Sequence, residues 1–226
     1  MGEGISAILP QALGAAISPV PIIAIILMLF TAKAKVNAPL FALGWVIGLF
    51  VIAGIAYSVG DSATDSSDGS TSNWPFILKV VLGVLLLLLA VRQWINRPKP
   101  GGAPQPPPKW MQGIDQFSPV RAFGLGALLS GLNPKNLLLS VAAGTSVAQL
   151  GTSAASSWFV ILVYALIGSL TIGGPVVYFF VAGEKAEAKL NALKAWLGEN
   201  NATVMMVLFA VLGIVLLSDG LTGLFT

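Results

Sequence analysis

Apolar residues run in six long stretches along the chain, and shorter polar segments separate them. The stretches are residues 5–30, 39–60, 74–94, 122–150, 158–182 and 202–224. Each is long enough for a helix to cross the roughly 30 Å hydrocarbon core of a bilayer, which takes about 20 residues. Lipid offers no partners to backbone N–H and C=O groups, so spans of this length are helical. The pattern predicts an all-α integral membrane protein with six transmembrane helices.

Composition supports this class and excludes others. Hydrophobic residues make up 56% of the 226 residues and charged residues only 9%, whereas soluble domains carry about 25% charged residues. The chain has no cysteine and no histidine, which excludes disulfides, thiol redox chemistry and the usual metal ligands. We therefore expect no cofactor, no metal and no enzymatic activity. The first stretch follows Glu3 rather than a basic segment, so we expect a retained span and not a cleaved signal.

The polar connections differ in composition. Residues 61–73 are acidic and serine-rich, and we expect them to be disordered; residues 97–110 form a proline- and glycine-rich tract typical of an extended linker. Residues 184–197 repeat apolar positions at helical spacing, which predicts an amphipathic helix in the membrane interface. The chain thus divides into a first three-helix repeat at 1–95, a cytoplasmic linker at 96–119 and a second repeat at 120–226.

Lysine and arginine residues indicate the orientation. Ten of them fall on one face if the N-terminus starts on the other, and Lys79 is the exception near a loop. The ten are Lys33, Lys35, Arg92, Arg97, Lys99, Lys109, Arg121, Lys185, Lys189 and Lys194. The positive-inside rule then predicts both termini outside and the linker in the cytoplasm. Because these residues flank apolar spans, the pI of about 9.3 does not indicate a nucleic-acid partner.

Spans one and four share a short motif. Residues 13–18 and 125–130 both read L-G-A-x-x-S and are followed within four residues by a proline. Three spans per half give the two halves opposite orientations, so the motif predicts a 3+3 inverted repeat in which helices one and four are interrupted. A straight helix over residues 5–33 would measure about 42 Å, more than the bilayer core, which also favours a break. Both breaks are expected near the midplane, facing each other.

The candidate binding residues lie at these two breaks. They are Ser18, Pro19, Pro21, Ser130, Asn133, Pro134, Lys135 and Asn136. A lysine near the bilayer centre costs about 2.5–3.5 kcal/mol on insertion scales, so its presence favours a polar cavity. One interpretation is a cationic site in which the ammonium and free N–H groups bind an anion. The alternative is a structural kink with a lysine that snorkels outward. Asp219 is a candidate counter-charge, unless it lies at the outer interface.

Two further features concern packing. Gly44 and Gly48 stand at small-xxx-small spacing in span two, which favours close packing within the bundle over a homodimer. Residues 171–175, which include Gly173, Gly174 and Pro175, indicate another break in span five.

The motifs Ile17-Ser18-Pro19-Val20-Pro21-Ile22 and Leu132-Asn133-Pro134-Lys135-Asn136 resemble those of the lysine-exporter superfamily of six-span carriers. Within it the chain is similar to the mycobacterial GAP family of peptidoglycolipid- or sulfolipid-addressing proteins. The resemblance covers essentially the whole chain. It implies a plasma-membrane protein that moves cell-envelope glycolipids outward, with membrane lipids and a larger lipid transporter as partners.

Three functional hypotheses follow from the sequence. The first is a transporter or export factor for an anionic or amphipathic envelope lipid that binds near the bilayer midplane. The second is a non-transporting accessory of a larger lipid exporter, and the third is an amino-acid exporter.

Overall fold

The computed structural model describes residues 2–65, 73–97 and 109–225, and all regular structure within these ranges is helical. A 3₁₀ helix at Lys109–Gln116 precedes the second half. The α-helices are α1 Gly2–Ala16, α2 Pro19–Leu29, α3 Ala34–Asp65, α4 Trp74–Ile95, α5 Pro119–Gly131, α6 Pro134–Ala148, α7 Ala154–Ile167, α8 Leu170–Ala182 and α9 Glu184–Phe225.

Three of these helices are long and apolar enough to cross a membrane singly, namely α3, α4 and α9. Two consecutive pairs, α1 with α2 and α7 with α8, also qualify if each pair forms one span, and each pair is bent by 57° at its break. The described residues therefore contain three to five candidate spans. The pair α5 and α6 is not among them, so the sixth predicted span stays a prediction.

Interruptions of the first and fourth predicted spans are present. Span one divides at residues 17–18 and span four at residues 132–133, and in both cases a proline is the first residue of the second helix. Proline suits this position because it lacks the N–H that the first turn leaves unpaired. Span five is also interrupted, but at residues 168–169 and not at 171–175 as predicted, and Pro175 lies inside α8.

Three predicted connections are partly helical, and the expected disorder of residues 61–73 is wrong for residues 61–65. Helix α3 begins at Ala34 and continues to Asp65, so it takes in parts of both flanking polar segments. Residues 66–72 of the predicted acidic loop and residues 98–108 of the predicted linker lie outside the described residues. The end of the linker forms the 3₁₀ helix, in which Met111 and Ile114 are buried.

The predicted amphipathic helix at residues 184–197 is helical but not separate. It continues without a break into span six as the 42-residue helix α9. The expected polar connection at residues 198–201 contains no proline, so the backbone can continue as a helix there. At 1.5 Å per residue α9 measures about 63 Å, roughly twice the hydrocarbon thickness.

Helix α3 packs closely against α5 through glycines on both helices, among them Gly44 of the predicted pair. A Cβ atom on Gly44 would overlap the carbonyl oxygen of Phe123, and one on Gly126 would overlap the carbonyl oxygen of Phe41. Only glycine, which has no Cβ atom, permits two helix backbones to approach this closely. The prediction that the span-two glycines serve packing within the bundle is confirmed.

Helices α4 and α9 pack against each other in antiparallel orientation. An added Cβ at Gly83 of α4 would lie 2.7 Å from the backbone nitrogen of Leu217, and one at Gly213 of α9 would lie 2.8 Å from Leu87. Residue numbers therefore rise along one helix as they fall along the other. Positions along α4 and α9 can therefore be compared with each other along a common axis.

Candidate functional site

The first break leaves backbone carbonyls without helical partners. Helix α1 ends at Ala16 and α2 begins at Pro19. Because Pro19 and Pro21 have no N–H, the carbonyls of Ala15 and Ile17, four residues earlier in each case, cannot receive the usual helical hydrogen bond. A carbonyl buried in a membrane protein needs another donor.

The second break brings a lysine to the first turn of α6. Asn133 caps the helix, and its side-chain oxygen accepts a hydrogen bond from the backbone N–H of Lys135 at 3.1 Å. Pro134 begins the helix, so Lys135 is the second helical residue. Its side chain leaves α6 close to the chain break and extends towards α1.

The Lys135 ammonium fills the gap in the first break. Its Nζ atom donates to the carbonyl oxygens of Gly14 and Ile17 and to the hydroxyl oxygen of Ser18, each at 2.7 Å. These three bonds match the three N–H groups of an ammonium. The side chain is only 2% exposed. The charge thus lies at the carboxyl end of α1, where the helix dipole favours a cation.

The remaining carbonyls of this break also receive side-chain donors. Ser18 Oγ donates to the carbonyl oxygen of Ala15 at 2.9 Å, and Thr171 Oγ1 of α8 donates to that of Ala16. The two breaks are therefore joined by direct hydrogen bonds, and the expectation that they face each other is confirmed. All three N–H groups of Lys135 are directed to the protein, so direct binding of an anion by this ammonium stays a prediction.

A cavity of about 160 Å³ lies where the two breaks meet. This is well above the roughly 10–15 Å³ that one water molecule requires. Five predicted site residues line it, and the full lining comprises Ser18, Pro19, Val20, Pro21, Gln93, Asn133, Lys135, Asn201, Met205 and Phe209. Gln93 of α4 and Asn201 of α9 did not emerge from the sequence, because single amides near span ends are common and carry no motif.

The lining of this cavity favours negative charge. The first turns of α2 and α6 both contribute to the wall, and helix N-termini carry positive partial charge. The ammonium of Lys135 offsets the opposite partial charge at the end of α1. No carboxylate is found among the described lining residues. The amides of Gln93, Asn133 and Asn201 provide N–H groups that can donate to an oxyanion.

The other predicted site residues lie beside the cavity and do not line it. Ser130 is fully buried, donates to the carbonyl of Ala127 at 3.1 Å and lies against Gly48 of α3. Asn136 is also fully buried; its Nδ2 donates to the carbonyl of Leu129 at 3.4 Å. Its Oδ1 has no protein partner. Pro134 is exposed at the helix start. These residues shape the second break.

Asp219 does not pair with Lys135, which corrects the proposed counter-charge. All hydrogen bonds of the Lys135 ammonium go to carbonyl and hydroxyl oxygens. Asp219 instead lies near Lys79 of α4, because a Cβ on the following residue, Gly220, would lie 2.7 Å from the side chain of Val80. Gln93 at the cavity lies about 21 Å further along α4 than Lys79. Asp219, which lies near Lys79, is therefore far from the cavity along the α4–α9 pair.

The break in span five receives a hydrogen-bond donor from a distant part of the chain. Helix α7 ends at Ile167, and the indole N–H of Trp45 in α3 donates to the carbonyl oxygen of Gly168 at 3.1 Å. Trp45 is fully buried. Like Thr171, it could not be identified from the sequence, because its partner is more than one hundred residues away.

The cavity lies towards one end of α4 and not at its middle. Gln93 is two residues from the last residue of this helix, Ile95, and the chain then enters the linker. The cavity is therefore on the linker side of the α4–α9 pair and not at the middle of α4, where a site at the predicted midplane would lie.

Comparison with protein families shows a match over most of the chain. The model of a family described as Sap, sulfolipid-1-addressing protein, matches residues 8–222. No curated protein and no solved structure matches the chain. The matched range contains both breaks, all residues that line the cavity and nearly all of α9. The chain belongs to the sulfolipid-1-addressing protein family.

Proposed function

We propose that this protein transports an anionic envelope lipid across the membrane and that the cavity between the two breaks binds the lipid headgroup. The membership of a sulfolipid-addressing family supports a role in lipid export. The observation that carries the proposal is the cavity itself, whose wall includes the first turns of two helices, three side-chain amides and Lys135. Interrupted helices of this kind bind substrates in several transporter folds.

The chemistry of the lining favours a sulfate or phosphate over a zwitterion. An oxyanion would accept hydrogen bonds from the amides of Gln93, Asn133 and Asn201 in a positive field. An amino acid would also bring an ammonium, which needs a carboxylate or several carbonyls. Because no carboxylate is present among the described lining residues, an amino-acid exporter fits this cavity less well.

Lys135 has an indirect role in this proposal. Its hydrogen bonds to Gly14, Ile17 and Ser18 hold the end of α1 against the start of α6 and so fix the cavity walls. Its charge acts on the headgroup through space. A direct contact would require at least one of these bonds to exchange for one to the lipid.

Helix packing supports an inverted repeat. Helix α3 packs on α5 and α6, α7 packs on α1, and α4 packs on α9. Exchange of the first three spans with the last three reproduces these three pairings. The linker side of α4 then corresponds to the cytoplasm by the positive-inside rule, so the cavity would receive lipid from the inner leaflet.

The orientation can be tested with single cysteines, since the chain has none. We expect Gln112→Cys in the 3₁₀ helix to be protected from a membrane-impermeant maleimide in intact cells and to react after permeabilisation. Ala155→Cys at the start of α7 should react in intact cells. Both positions are exposed in the protein. The reverse labelling pattern would contradict the orientation.

Transport can be tested with purified protein in phosphatidylcholine vesicles that contain an NBD-labelled sulfated galactosylceramide. We expect the protein to move this lipid between leaflets, measured by its exposure to external dithionite. The unsulfated lipid should move about tenfold more slowly, the effect of losing one charge-assisted hydrogen bond. Failure to move either lipid would favour the accessory role.

The cavity can be examined in the same assay with a matched pair of variants. Gln93→Leu removes an amide from the cavity wall, whereas Gln112→Leu removes one from an exposed position. We expect Gln93→Leu to slow the sulfated lipid about tenfold, with the unsulfated lipid little changed. Equal rates for the two variants would place the headgroup elsewhere.

A further inference from the structure

An apolar groove of about 460 Å³ runs along α9 beside the cavity. One residue of the first break, Ile17, forms part of its wall, and the others belong to α9. These are Trp196, Asn200, Thr203, Val204, Val207, Leu208 and Val211. Val207 and Val211 are about half exposed, so the groove opens to the side of the protein and not into its core.

The groove and the cavity are neighbours along two segments of the chain. Ile17 lines the groove while Ser18 lines the cavity, and the same holds for Asn200 and Asn201. Further along α9, Leu208 lines the groove and Phe209 the cavity. Consecutive residues on a helix are about 100° apart, so one ridge of α9 divides the two spaces.

The groove has the dimensions and chemistry of a site for a hydrocarbon chain. From Trp196 to Val211 the helix rises about 22 Å, most of the hydrocarbon thickness of one bilayer. Its middle and far end are lined by valine and leucine, and its polar residues, Asn200 and Thr203, lie towards the Trp196 end. Tryptophan is the residue that favours the boundary between headgroups and hydrocarbon.

We propose that this groove binds one acyl chain of the transported lipid while the headgroup of the same molecule occupies the adjoining cavity. The inference rests on the proposed function, because it takes its occupant from the lipid assigned to the cavity. It adds that recognition has two parts, one at the breaks that uses side-chain amides and one on α9 that is apolar. The lipid is held across the ridge that includes Val204 and Met205.

A second groove, on α3 and α7, provides a control. It measures about 340 Å³, and its wall comprises Phe50, Val51, Gly54, Ile55, Ser58, Val59 and Trp158. None of these residues is adjacent in sequence to a residue that lines the cavity between the breaks. Val51 is 45% exposed and Val207 is 50% exposed, so the two positions are equally accessible to lipid. Bulk lipid should fill both grooves alike.

The test places a photoreactive benzoylphenylalanine at Val207 or at Val51 in the full chain. Each variant is reconstituted in phosphatidylcholine vesicles that contain a trace of radiolabelled sulfated galactosylceramide or of radiolabelled phosphatidylcholine with matched acyl chains. We expect Val207 to crosslink the sulfated lipid about tenfold more than phosphatidylcholine, and Val51 to show no preference. The preference should disappear when Gln93→Leu is added.

Equal crosslinking of the two lipids at Val207 would overturn the inference and would mark the groove as a site for bulk lipid. The transport assay separates this failure from that of the proposed function. If Val207→Trp transports the sulfated lipid as well as Val51→Trp does, the groove has no role even though transport is real. If no variant transports but Val207 still crosslinks selectively, the site binds lipid and the transport proposal fails instead.

Discussion

Lys135→Met is expected to destabilise the protein and to abolish lipid export. The substitution leaves the carbonyls of Gly14 and Ile17 and the hydroxyl of Ser18 without their donor. Hydrogen bonds between membrane helices average about 0.6 kcal/mol, and buried unpaired groups in proteins cost about 1–3 kcal/mol each, so we expect a loss of about 2–4 kcal/mol. The melting temperature in detergent should fall by about 5–15 °C.

The control for this prediction is Lys33→Met, which removes the same charge from an exposed position. It should leave both melting temperature and export unchanged. Lys135→Arg should restore function at best partly, because the wider guanidinium cannot direct three donors into the space of an ammonium. A Lys135→Met protein with unaltered stability and full export would show that the bonds at the first break have no role.

Gly126→Val is expected to prevent assembly of the helix bundle. A Cβ at this position would overlap the carbonyl oxygen of Phe41 and lie 3.0 Å from the backbone nitrogen of Trp45. Both neighbours are backbone atoms of α3, so no side-chain rotation relieves the overlap. Overpacking of flexible cores costs about 1–3 kcal/mol, and we expect this rigid contact to cost at least as much. The measurement is the yield of monodisperse protein after detergent extraction.

Gly124→Val provides a control on the same helix, because no atom lies within 4 Å of a Cβ at position 124. Valine is a slightly better helix former than glycine, so this variant should be recovered in normal yield. If the two variants behave alike, α3 and α5 do not pack through Gly126. The separation of α3 from α5 in Gly126→Val should also expose Ser130 and alter the second break.

Local chemistry explains which parts of the fold were predictable. The breaks at Pro19 and Pro134 follow from the missing N–H of proline, a property of the residue itself. The length of the first span also favoured a break. The glycine contacts of α3 followed from spacing alone. The meeting of the breaks could be anticipated from their similar depth, but the atoms joined by Lys135 could not.

Features set by distant contacts were missed. The break in span five occurs where Trp45 can donate to Gly168, whereas the sequence pointed to Pro175. Residues 198–201 are polar enough to suggest a connection, yet they continue as helix within α9, which packs along α4. Asp219 has the charge opposite to that of Lys135, and only the register of α4 and α9 shows that it lies near Lys79.

If the cavity between the two breaks binds the anionic headgroup of a lipid, that lipid should protect a thiol placed in the cavity wall. Met205→Cys places a single cysteine in the cavity wall. In detergent micelles an anionic methanethiosulfonate reagent should modify it, and sulfated galactosylceramide should slow the reaction about tenfold. The unsulfated lipid should not protect the thiol, and neither lipid should protect Ala155→Cys. Equal rates at position 205 with and without the sulfated lipid would contradict the account.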